Sequence, residues 1–228
     1  MCCFSTERGR IETICGRENS PDTHTRVQLD RNVFIGARMK SSGALVCGSL
    51  RGRVYEMMVL AAYRVGNDVS VDLEFRTSQS SGVLLGVSSQ NTDGLGIELV
   101  SGKLLFHADN GADRFTAVYE PDEGAGLCDG QWHTVSAHKL KHRLELIVDG
   151  RKSEAVSLDP RSPSADTNDP VYVGGYPDGL NQFGLTINTS FKGCMRNLKI
   201  TKAAKTLEVQ MNKVLELKGV QPLTCPAA

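Results

Sequence analysis

Between Gly82 and Gly111 the chain reads GVLLGVSSQNTDGLGIELVSGKLLFHADNG, three apolar runs divided by turn-forming residues, and no other stretch restricts the fold as strongly. Val83 to Ser88, Leu95 to Val100 and Lys103 to Ala108 are rich in β-favouring residues and bounded by Gly, Asn, Asp or Ser. Each is therefore predicted to be a short strand. Ser101-Gly102 suits a two-residue hairpin loop, which makes the second and third runs antiparallel neighbours. Asp93, in Asn91-Thr92-Asp93-Gly94, reads locally as a turn former whose carboxylate bonds nearby backbone.

The same texture continues on both sides. From Val69 to Thr77, Val69, Val71, Leu73 and Phe75 alternate with Ser70, Asp72, Glu74 and Arg76, the pattern of a strand with one wet face. Arg114 to Tyr119, His133 to Lys139, Arg143 to Asp149, Val171 to Gly174 and Met195 to Ile200 are further strands, with a short loop around Leu140 to His142. Strands so closely spaced, with few helical periods, predict an all-β fold built as a two-sheet antiparallel sandwich. Leu207 to Leu217 is the one stretch patterned for a short helix. Residues 1 to 50 show no sustained period and hold the breaker cluster Asn19-Ser20-Pro21-Asp22. They are expected to be a disordered extension, with one strand allowed within Val27 to Ile35, and the organised domain is expected over 51 to 228.

Lys and Arg together number 26, as do Asp and Glu, so no global charge points to nucleic acid or an acidic membrane, and any polyanion site must be local. No run reaches the roughly 18 apolar residues of a membrane span. Met-Cys-Cys-Phe-Ser-Thr-Glu-Arg lacks the basic start and apolar centre of a secretory signal, which leaves a cytosolic protein or a piece of a longer exported chain. Cys194 and Cys225 lie late in the chain beside turn formers, either as a bridge clipping the terminal segment or as buried thiols. Cys2, Cys3 and Cys15 lack paired C-x-x-C spacing and a following H-x-x-x-H, so zinc is poorly supported.

Asp72 and Glu74 share a strand face as a hydrolase pair would, but Arg76 continues the row and solvent exposure explains it. His107, His133 and His138 lie within strands and read as structural residues. A second acidic loop, Ser164 to Pro170 with Asp166 and Asp169, precedes a strand much as Asp93 does, and Ca²⁺ takes oxygen ligands of that kind. Whether the two loops meet is not visible in periodicity. Lys139, Lys141 and Arg143, around His142, form one basic cluster, while Lys192, Arg196, Lys199, Lys202 and Lys205 form another. Both are open to solvated charge or to a sulfated glycan, and strand alternation places Lys192, Arg196 and Lys199 on different faces. Asn188-Thr189-Ser190 is an N-glycosylation sequon, relevant if the chain is exported.

LEFRTSQSSGVLLGVSS, CDGQWHTV, LIVDG, PVYVGGYP, FKGCMRNLKI and PLTCP, in that order and spacing, resemble a laminin G-like domain over about Arg51 to Ala228. The likeness is greatest to the carboxy-terminal, fifth such domain of a laminin alpha chain of the alpha-1 or alpha-2 type. The resemblance implies a jelly-roll sandwich related to the concanavalin-like folds, without enzymatic activity. It implies a domain secreted into the basement membrane as part of a longer chain. It also implies a rim Ca²⁺ site with carboxylates from Asp93 and Asp166 and backbone carbonyls near Asn110 and Ser164. Two carboxylates with water in the open positions suit a weak affinity, on the order of 10⁻⁴ to 10⁻³ M. Implied partners are the glycan of alpha-dystroglycan, heparin or heparan sulfate, and sulfatide, met through Ca²⁺ and basic residues such as Lys139, Lys141, Arg143, Lys192 and Arg196, with integrins reached through the parent laminin. Cys194 and Cys225 match the family's carboxy-terminal disulfide, and for Cys128, which stands in a matching segment, the resemblance implies a partner upstream in the longer chain, with Cys47 the nearest upstream candidate here.

Overall fold

The β-favouring runs form strands in the computed structural model, which describes residues 33–35, 57–88, 93–112, 114–124, 126–159, 161, 163–177, 185–202, 205–208, 214–222 and 225. In chain order these are β1 (Val33–Ile35), β2 (Met57–Tyr63), β3 (Asp68–Arg76), β4 (Gly82–Ser88), β5 (Gly94–Val100), β6 (Lys103–Asp109), β7 (Arg114–Tyr119) and β8 (His133–Leu140). There follow β9 (Arg143–Val148), β10 (Arg151–Val156), β11 (Asp169–Val173), β12 (Gly193–Lys202), β13 (Lys205–Glu208), β14 (Val214–Lys218) and β15 (Val220–Pro222). One sheet runs β10-β9-β8-β3-β12-β1-β15 with β13 beside β12, and the other runs β14-β2-β11-β4-β5-β6-β7. The ladders within them are antiparallel.

Val100 pairs with Lys103 across Ser101-Gly102, and Leu140 pairs with Arg143 across Lys141-His142, so both predicted hairpin loops are present. Among the described residues of Leu207 to Leu217 the expected helix is replaced by strand: Leu207 belongs to β13 and Val214 to Leu217 to β14, which pairs with β2, while 209–213 lie outside the described residues. A short helix is marginal in water, whereas Val214 to Lys218 meets a sheet edge that supplies ladder bonds and apolar contact. β1 falls within Val27 to Ile35 and pairs with β12 and β15. The rest of residues 1 to 50, with Cys47 among them, lies outside the described residues.

Alternation builds the core. Val69, Val71, Leu73 and Phe75 of β3 point inward with Val135 and Ala137 of β8 and Leu144, Leu146 and Val148 of β9. They meet Leu95, Ile97 and Leu99 of β5, Leu104 and Phe106 of β6, and Phe115 and Ala117 of β7. Each such Val, Leu, Ile or Phe contributes roughly 1.5–3 kcal/mol on full burial. β4 breaks the alternation, being buried at every residue. Residues 174–177 and 185–191 form a strap that explains this, because Tyr176 and Leu185 pack with Val83 on the far side of the sheet from the core. Gly86 is needed there: a Cβ on it would stand 2.9 Å from a Leu185 methyl and 3.1 Å from the Tyr176 ring.

Glu98 fastens that strap. Fully buried on β5, it accepts from the Thr186 amide at 2.9 Å, the Ile187 amide at 3.1 Å, the Thr186 hydroxyl and His107 Nε2 at 2.8 Å. His107 in turn meets Thr116 Oγ1 at 2.7 Å through Nδ1. Burial raises the Glu98 carboxyl, but the bonds from His107 and Thr186 outweigh it and hold the group below its ordinary 4.5. At the other end of the chain Cys194 and Cys225 are bridged with Cα atoms 5.9 Å apart, and Arg76 Nη2 donates to Cys225 Sγ at 2.8 Å.

Because Glu98 titrates lower when folded, its stabilisation is present above pH 4.5 and is lost as the pH falls through the folded value. Urea midpoints measured from pH 7 down to pH 3 are expected to fall in that window, and to fall less in Glu98→Gln. Glu98→Ala, which leaves the Thr186 and Ile187 amides and the buried His107 without their acceptor, is expected to destabilise by roughly 3 kcal/mol at pH 7. Reduction of the Cys194–Cys225 bridge is expected to lower stability by about 3–4 kcal/mol, measured by denaturant unfolding with and without reductant.

Candidate functional site

Register delivers two of the predicted site residues to one end of the sandwich. Gly94 pairs with Asp109, so Asp93 just before β5 stands across from Asn110 just after β6. Asn110 is 3% exposed, and Asp109 Oδ1 accepts from the Gly111 amide at 2.9 Å as the chain turns. The Ser164 to Asp166 loop arrives from between β10 and β11, with Ala165 exchanging backbone bonds with Gly66 at 2.9 and 3.1 Å. Thr167 completes the attachment, its hydroxyl donating to Tyr63 O at 2.8 Å and accepting from the Val65 amide at 3.0 Å.

The two acidic loops meet. The Asp166 amide donates to Asp93 Oδ2, across a sequence separation of 73 residues, and Ser164 Oγ donates to Asp166 Oδ1 at 2.8 Å. Arg64 Nη2 lies 3.5 Å from Asp166 Oδ1, and Lys202 Nζ donates to Arg64 O at 2.8 Å. The Ser164 hydroxyl, with Arg64 and Lys202 nearby, holds the Asp166 carboxyl below the usual carboxylate range. All four predicted residues therefore share one rim, and it offers hard oxygen donors. Among the described residues no group of three or more His, Cys, Asp or Glu is placed to hold a metal. A cation here would rely on two carboxylates supplemented by carbonyls and water, which suits Ca²⁺ better than Zn²⁺.

The basic residues divide differently from expectation. Lys139 is corrected outright: it is fully buried, in register with the inward Val135 and Ala137 of β8, so it cannot touch a glycan. Its ammonium donates to the carbonyls of Gly66, Asn67, Lys141 and Pro163 at 2.9–3.2 Å. Burial pushes it down to about 8, against the pull of Asp68, Asp93 and Asp166. Lys141 is exposed at the hairpin tip beside Asn67 and Asp68, on the rim of the acidic loops. Arg143 is engaged by Glu154 at 2.6 Å and Glu145 at 3.0 Å.

Arg196 donates through Nε to Glu74 at 2.8 Å and lies 4.0 Å above the Trp132 ring, with Arg76 5.4 Å from the same ring. Lys192 is exposed nearby. This set flanks the Arg76 end of β3, whereas Lys141 flanks the Asp68 end. At about 3.3 Å per residue the nine-residue strand separates them by roughly 26 Å. A bulge between Arg196 and Lys199 also brings both residues opposite the outward Glu74 and Asp72, where unbroken alternation would have split them. Asp72 accepts from Ser136 Oγ at 2.6 Å, and Glu74 is taken by Arg196 and Asn197. His133 lies between Asp149 and Asp129, and His138 bonds Ser70. Asn188 is exposed on the strap. Arg64 was missed in the sequence; nothing local marks it, since its contact comes from a loop about a hundred residues later. Lys202 was seen only as one of a basic set.

Comparison with known proteins adds to this geometry. The family described as "Laminin G domain" matches residues 75–203. The chain is 47% identical over 175 residues to laminin subunit alpha-1 of Mus musculus and 49% identical over 175 residues to that of Homo sapiens. Each match covers 77% of this chain and only 6% of the relative. Among solved structures, domains LG4-5 of the mouse laminin alpha1 chain align with 42% identity and a TM-score of 0.75, over 87% of this chain and 49% of that one. The LG1-3 region of the laminin alpha2 chain, at 17% identity and a TM-score of 0.61 over 81% of this chain and 38% of that one, shares the fold.

Proposed function

The chain belongs to the laminin G domain family, whose members in laminin alpha chains are extracellular, non-enzymatic binding modules, and from that premise we propose that it holds Ca²⁺ at the rim and through it an acidic glycan. Asp93 and Asp166 supply the carboxylates, and backbone carbonyls at Asn110 and Ser164 assist. The observation that carries this is the hydrogen bond from the Asp166 amide to Asp93, which joins two otherwise distant acidic loops. A bound Ca²⁺ adds positive charge and open coordination positions at that point. Arg64, Lys202 and Lys141 stand around it as long-range attraction for sulfated or carboxylated sugars. The ligands that fit this chemistry are the glycan of alpha-dystroglycan, heparin or heparan sulfate, and sulfatide. Lys192 and Arg196, at the far end of β3, form a separate contact for the same polyanions, and integrins are met through the parent chain. Export to the basement membrane makes Asn188 a glycosylation site, and its exposure supports this.

A second reading has its own support. The loops are already tied to each other and to Gly66, so an ion could serve only to stiffen that tie.

Asp93→Ala and Asp166→Ala are each expected to abolish calcium binding by calorimetry while leaving the far-ultraviolet circular dichroism unchanged; retained affinity in both variants would refute the site. On an array of sulfated and acidic glycans, EDTA is expected to remove most binding, and Lys141→Ala to weaken what calcium supports. Retention that is indifferent to EDTA would favour the stiffening role.

A further inference from the structure

We propose that Lys139 is a positioning residue for the calcium loops: its buried ammonium sets where the Ser164 to Asp166 loop sits, so that ion affinity depends on a side chain that never touches the ion. The proposal rests on the calcium reading above.

Lys139 occupies an inward position on β8, where Val135 and Ala137 precede it, and it is fully buried. A buried lysine is rare unless its charge is met. Here main chain meets it. An ammonium has three protons, and four carbonyls surround them: Gly66 at 3.1 Å, Asn67 at 2.9 Å, Lys141 at 3.2 Å and Pro163 at 2.9 Å. These belong to three separate segments, the β2–β3 turn, the β8–β9 turn and the approach to the Asp166 loop.

Two of those acceptors are shared with bonds that hold the rim together. Gly66 O accepts from the Ala165 amide at 3.1 Å as well as from Lys139, and Asn67 O accepts from the Lys141 amide at 2.9 Å. Pro163 stands directly before Ser164, so the ammonium fixes the chain immediately upstream of the predicted donors, while Ala165 and Asp166 are fixed by Gly66 and Asp93. Without a charged donor at this centre, carbonyls of like sign would face one another in a closed space, and the loop would lose its upstream anchor. Residues that orient metal ligands from behind typically change affinity by about 10–100-fold when replaced.

The test compares wild type with Lys139→Met, which keeps the length and loses the donors, and Lys139→Gln, which keeps polarity without charge and serves if the first does not fold. Calcium affinity is read by calorimetry, and amide hydrogen exchange is read in EDTA. We expect affinity to fall about tenfold and protection of the Ala165 and Asp166 amides to drop, with the β5–β6 hairpin amides unchanged. Unchanged affinity in a folded variant with lowered thermal stability would show a merely structural lysine and overturn the proposal. So would lost affinity with full protection at Ala165 and Asp166. If wild type binds no calcium, or Asp93→Ala binds it normally, the calcium reading fails instead, and the exchange measurement alone still decides whether Lys139 sets the loop.

Discussion

A charge taken out of water has to be met, and in this sandwich it is met chiefly by backbone. Glu98 and Lys139 are both inaccessible to solvent, yet neither has a permanent opposite charge bonded to it. Glu98 collects amides of Thr186 and Ile187 together with His107, and Lys139 gives its protons to four carbonyls. Burial without such bonds is costly, so each charge demands that a particular stretch of loop return to a particular place. The apolar core holds the two sheets face to face; these two groups hold the chain that runs over and around them.

The consequences fall on opposite parts of the molecule. The carboxylate pins the strap across β4 and β5, which is why β4 can be apolar on both faces and why Gly86 has no room for a side chain. The ammonium gathers the turns at the rim where Asp93 and Asp166 meet. The polar outer face of β3 and its neighbours is internally neutralised, with Asp72, Glu74, Glu145 and Glu154 all engaged. Basic side chains therefore stand beside both ends of β3, Lys141 with Arg64 and Lys202 at one and Lys192 with Arg196 at the other, with Lys199 between them.

Most strands could be read from the chain, because alternation and turn residues are local signals that survive without knowledge of partners. β10 could not, since Arg151 to Glu154 are all polar and only Ala155 and Val156 are apolar, and β14 does not read as a strand because Leu215 and Leu217 carry apolar character without a visible partner. Asp93 and Asp166 were visible as acidic loops beside strands, and family resemblance suggested that they act together. Lys139 reads as part of a basic cluster because Lys141, in the β8–β9 turn, and Arg143, which opens β9, follow it closely; continuing the β8 alternation by one step turns it inward. The bulge in β12 left no comparable trace, so the shared face of Arg196 and Lys199 was hidden.

The sequence by itself determined the all-β class, the main hairpins, the wet face of β3 and the acidic character of two loops, all of them set by residues within a few positions of one another. Only the tertiary structure decided that Asp166 reaches Asp93, that Glu98 receives the strap and that Lys139 closes the rim. Those contacts span 73 positions between Asp93 and Asp166, 88 between Glu98 and Thr186, and 24 between Lys139 and Pro163. Their partners are chosen by sheet order and register, which depend on how the whole sandwich closes.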